Sequence, residues 1–224
     1  MVRFIYKVRV LSFIFLGVFL YSQEKKPFYD VASVLQNIIP EIKTDSWSLI
    51  HQNSGKDTVI KSSSADKNYT SQSSGFNVGI VEENEFYYIV YFLGGKTEYI
   101  NDLEGLKKFV GKVNNIHDAA VFAATQGYII DENFRDVAGN YYEDPSNYYL
   151  DLGKLTSKEC PYQKKYFTLT VSKSTGNISG VKDNGPYIEL YNKKCTNNPR
   201  LLKIEKKEEP KDEPKKPARS PKRR

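Results

Sequence analysis

Nine consecutive residues, Glu85–Leu93 (EFYYIVYFL), limit what this chain can become more than any other segment. β-Branched and aromatic side chains favour a pleated strand, and here both alternating faces carry them. A strand that is apolar on both sides belongs in the middle of a sheet with cover above and below. Left at an exposed edge it would template aggregation. Gly94-Gly95 then turns the chain into a second strand at 96–100.

Further strand-like runs surround it: 46–52 and 58–61 with a turn over 53–57, 76–81, 128–130, 141–142, 148–152, 166–172, 178–181 and 187–191. Phe167, Leu169 and Val171 alternate with Tyr166, Thr168 and Thr170, which marks a half-buried strand. Helical spacing appears in three places. Val31, Val34, Leu35, Ile38 and Ile39 form one apolar face over 30–39, with Asp30 as cap and Pro40 as stop. Asn101 with Glu104 three residues on reads as a capping-box pair ahead of Leu103, Leu106 and Val110, and Gly111 closes that helix. Asn115 caps a third helix with a small-residue face of Ala119, Ala120, Ala123 and Ala124. The expected fold class is therefore α+β: a mixed or antiparallel β-sheet with an N-terminal helix and a central helical hairpin, in a single domain over 28–202.

The two ends read differently. Residues 1–9 are basic, 10–21 (VLSFIFLGVFLY) are almost wholly apolar, and polar residues follow from Gln23. This is the order of a secretory signal peptide, expected over 1–22. The apolar run is too short for a membrane-crossing helix, which needs about 20 residues. Residues 203–224 hold ten bases and five acids with almost no apolar content, the composition of a disordered basic tail. The whole chain carries +6, but residues 1–22 contribute +3 and the tail +5, leaving −2 for the body. The folded part thus gives no electrostatic case for specific nucleic-acid binding.

Export makes the cysteines legible. Cys160 and Cys195 are the two in the chain, and in an oxidising compartment they pair as a disulfide. On its signal segment and general texture the chain resembles exported proteins of bacteria. That resemblance implies a secreted or periplasmic location and carries no functional residue.

The search for catalytic chemistry returns no residue to assign. The histidines are His51 and His117, with no His-Glu-x-x-His pair and no Gly-x-Ser-x-Gly elbow. His117, in the first turn of its helix, reads as surface, and His51 as a packing or surface residue. Gly94-Gly95-Lys96-Thr97 ends like a phosphate loop, but Val90 stands where its first glycine is needed. The acids Asp131, Glu132, Asp136, Glu143 and Asp144 lack the spacing of a calcium loop and read as a solvated segment. No metal or cofactor is expected.

Tyrosine is the compositional oddity, with 17 residues and doublets at Tyr141-Tyr142 and Tyr148-Tyr149. On a strand, one ring of a doublet faces the core and the other the surface, so Tyr141, Tyr142, Tyr148 and Tyr149 are the candidate binding residues for a protein or glycan. The tail reads either as a salt-sensitive contact for a polyanion or as a solubilising extension. The expected function is an exported, non-enzymatic binding or interaction protein. Its rivals are an envelope-polymer hydrolase using a carboxylate pair and a structural envelope component.

Overall fold

The computed structural model describes residues 24–63, 68–80, 84–193 and 195. The expected signal peptide and basic tail, and the last residue of the strand-like run at 76–81, lie outside the described residues. Among the described residues the elements are, in chain order, β1 (Lys26–Pro27), α1 (Val31–Gln36), β2 (Ser46–Asn53), β3 (Lys56–Ser62), β4 (Glu85–Leu93), β5 (Lys96–Ile100), α2 (Leu103–Val110), α3 (Ile116–Ala124), a 3-10 turn (Glu132–Phe134), α4 (Arg135–Ala138), β6 (Gly139–Glu143), β7 (Asn147–Ser157), β8 (Tyr162–Ser172) and β9 (Ile178–Leu190).

The class is α+β, but the strands divide into two antiparallel sheets, ordered β3-β2-β4-β5 and β1-β6-β7-β8-β9. Strand periodicity does not say which strands pair, so one sheet and two sheets look alike in sequence. The EFYYIVYFL run is β4, interior to the smaller sheet and paired with β2 and β5. Its middle residues Tyr87 to Val90 are all buried. Tyr87 and Ile89 join the main core with Trp47 and Leu49, while Tyr88 and Val90 point the other way into a satellite cluster with Ile50. Tyr69, Phe86, Phe92 and Tyr99 close that cluster, and the Tyr88 hydroxyl donates to Asp57 at 2.7 Å. The β4–β5 turn places Gly94 and Gly95 at φ 57° and 79°, the left-handed pair that a two-residue hairpin loop requires.

The helices differ from expectation at their ends. Helix α1 stops at Gln36 instead of running to residue 39. Pro40 pushes Ile39 towards extended backbone, and the Ile39 N–H donates to the Asp118 carboxylate at 3.0 Å. Ile38 remains buried, whereas Ile39 is exposed. Asp102, not Asn101, caps α2 by accepting from the Gly105 N–H at 2.7 Å, so the Asn101–Glu104 box does not form. The Asn101 amide instead donates to Gln72. Helix α3 is capped by Asn115, and its alanine face is buried as the pattern indicates.

Two short runs read as strands are only bridges. Phe76 pairs with Tyr87 of the smaller sheet, while Gly79 pairs with Ile130, whose neighbour Ile129 pairs with Gly153 of β7. The 76–80 segment thereby laces the two sheets together. The runs at 178–181 and 187–191 fuse into the single long strand β9, whose register against β8 shifts at several points. One main core draws on both sheets and on α1, α2 and α3. Cys160 and Cys195 form the expected disulfide, with their Cα atoms 5.4 Å apart.

Candidate binding surfaces on the five-stranded sheet

Strand register decides what each tyrosine of the doublets does. Leu150, Leu152, Leu169 and Val171 face the core, and Tyr148 and Tyr141 share that face. Tyr148 is buried, and the Tyr141 ring packs on Phe28 with centroids 4.8 Å apart. The other two stand on the opposite face. Tyr142 and Tyr149 are direct cross-strand partners, and their rings stack at 4.5 Å with an 8° interplanar angle. The Tyr149 hydroxyl donates to Asp144 at 2.9 Å, and this bond, with backbone donors, holds the Asp144 carboxyl below its ordinary range. Beside the stack is a shallow hollow of about 210 Å³ lined by Glu24, Lys26, Tyr141, Tyr142 and Glu143. Glu143 is engaged by Lys173 at 2.6 Å.

The same outer face carries buried carboxyl groups. Asp151 accepts from the Thr168 hydroxyl at 2.6 Å and from Lys25 at 2.5 Å. Asp131 is fully buried, which corrects its reading as part of a solvated loop. It ends the stretch bridged to β7, and its side chain folds back over the sheet to meet Tyr187 of β9 at 2.8 Å and Lys164 of β8 at 3.3 Å. Burial first, then the bond to Asp131, raises the Tyr187 phenol far above its ordinary pKa, so Tyr187 is the donor.

Next to this trio opens a cleft of about 340 Å³, walled by Asn77, Ile80, Ile129, Leu155 and Tyr162 together with Lys154, Lys164 and Tyr187. Its position is where the lacing segment meets the ends of β7, β8 and β9. Sequence reasoning did not single out Lys164 or Tyr187. They lie 33 and 56 residues from Asp131 and share no motif with it, so only the strand pairing brings them together.

The histidines take structural places. His51 is bonded to Glu85 at 2.6 Å and stacked on Tyr87 at 4.6 Å. His117, read as a surface residue, is half-buried against Phe28, and burial lowers its pKa. Among the described residues, no group of three or more His, Cys, Asp or Glu side chains could hold a metal ion. No described helix is long and apolar enough to cross a membrane. No family model, curated protein or solved structure matches this chain.

Proposed function

We propose that the chain is an exported, non-enzymatic binding protein that recognises a glycan or protein through the outer face of its five-stranded sheet. The observation that carries this reading is the Tyr142–Tyr149 stack, held half-exposed on that face beside carboxylates. A pre-stacked aromatic pair offers contact area at little entropic cost, and flanking carboxylates accept hydrogen bonds from hydroxyls or amides. In this reading Tyr142 and Tyr149 make the contact, supported by the burial of Tyr148 and the packing of Tyr141 on Phe28. The disulfide and the apolar segment at 10–21 support a secreted or periplasmic setting.

A hydrolase built on two carboxylates gains no support from Asp131 and Asp151, because both are tied to a lysine and a hydroxyl. The test is retention of the protein on immobilised envelope polysaccharide and on surface-protein fractions. Tyr142→Ala with Tyr149→Ala is expected to abolish retention, whereas Tyr141→Phe and Tyr148→Phe retain it. Unchanged retention of the Tyr142→Ala/Tyr149→Ala variant ends the proposal.

A further inference from the structure

The cleft at the far end of β7 does not depend on the tyrosine stack. Tyr149 and Lys154 are five residues apart on one strand, about 17 Å by strand rise. At about 340 Å³ the cleft lies within the range of small-molecule sites, at its lower end. Its chemistry is divided. Ile80, Ile129 and Leu155 supply apolar wall, while Lys154, Lys164, Tyr162, Tyr187 and Asn77 supply polar groups.

The charges leave a definite remainder. Lys164 is paired with buried Asp131, so those two cancel. The Lys154 ammonium rests on the Gln126 carbonyl at 2.9 Å and over the Tyr128 ring at 4.3 Å, with no carboxylate partner among the described residues. Among the described residues the cleft therefore carries one positive charge without a carboxylate partner, with a second ammonium already paired to Asp131. One acceptor completes the set: Tyr187 donates its proton to Asp131 and keeps its lone pairs.

We infer that this cleft binds a small organic monocarboxylate with an apolar body and an N–H donor, the chemistry of an apolar N-acyl amino acid or N-blocked short peptide. The carboxylate meets Lys154 and Lys164, the aliphatic part fills the wall of Ile80, Ile129 and Leu155, and the N–H faces Tyr187. One positive charge without a carboxylate partner among the described residues matches a monoanion. A phosphate dianion calls for two uncompensated cations or a nest of backbone N–H groups.

The test titrates N-acetyl-L-leucine, N-acetyl-L-leucinamide and inorganic phosphate into the full chain, read by calorimetry and by amide chemical shifts around residues 154–164. The acid is expected to bind, with the neutral amide and phosphate each at least about tenfold weaker, the loss of one charge-assisted contact. Lys154→Met, which keeps the aliphatic stem, is expected to weaken the acid by about tenfold or more, and Lys154→Arg to restore it. Both variants should stay folded, Lys154→Met giving up only the exposed Gln126 and Tyr128 contacts. The Tyr142→Ala/Tyr149→Ala variant should bind the acid as the parent does, which separates failure here from failure of the tyrosine surface. Equal binding of acid and amide, preferential binding of phosphate, no effect of Lys154→Met, or no binding at millimolar acid would each overturn the assignment.

Discussion

In the four-stranded sheet, the face turned away from the main core is closed by rings: Tyr88 and Val90 lie under Tyr69, Phe86, Phe92 and Tyr99. In the five-stranded sheet, the corresponding face carries Asp131, Asp151, Lys164, Thr168 and the stacked Tyr142 and Tyr149. The first solution buries that face under rings and leaves an open hollow of about 400 Å³ only at its end, lined by Gln52, Ser54, Gly55, Ser73, Asn84 and Phe86. The second keeps hydrogen-bonding groups at the surface and holds them in place by pairing. Both candidate binding surfaces accordingly fall on the five-stranded sheet, and the four-stranded sheet reads as scaffold.

Mutations can break this contrast in graded steps. Phe109→Ala, deep under the smaller sheet where it packs against Trp47 and Tyr91, should cost about 3–5 kcal/mol in urea unfolding without touching either surface. Cys160→Ser opens the disulfide-closed loop and should cost about 3–4 kcal/mol by the chain-entropy account, again measured by urea. A smaller loss is expected for Tyr88→Phe, which strips Asp57 of its phenol partner and should cost about 1–2 kcal/mol. Tyr149→Ala lies on the addressable face and should cost about 1 kcal/mol or less while removing partner retention. If it destabilises as much as Phe109→Ala, the division into scaffold and binding face is wrong.

The pH response offers the finest step. Burial lowers the pKa of His117 in the fold, so the unfolded chain takes up this proton first as pH falls through about 6.5. Stability from this group is present above that pH and is lost as pH falls towards the folded value. The urea midpoint should decline more between pH 7.5 and 5.5 in the parent than in His117→Gln. Equal declines would show that His117 is solvated.

Much of the scaffold is legible locally. The β4 run announces a covered central strand, Gly94-Gly95 announces its hairpin, and Asp30 and Asn115 announce two caps, because these depend on residues within one turn or one pleat. Where neighbours in sequence compete, reading fails by small steps. Asp102 displaces Asn101 as a cap, and Asp118 draws away the Ile39 N–H. At the cleft it fails altogether. An aspartate in an acid-rich stretch looks solvated until Lys164 and Tyr187 are known to fold over it.

The sequence by itself determined the α+β class, the pairing of the two cysteines and the lack of net positive charge on the body, which rest on composition and short-range periodicity. Only the tertiary structure decided that the strands split into two sheets, that Tyr142 and Tyr149 face outwards while Tyr141 and Tyr148 face the core, and that Asp131 is buried. The reason is register. A period of two fixes that neighbouring residues point oppositely, but pairing with a distant strand decides which face is the core.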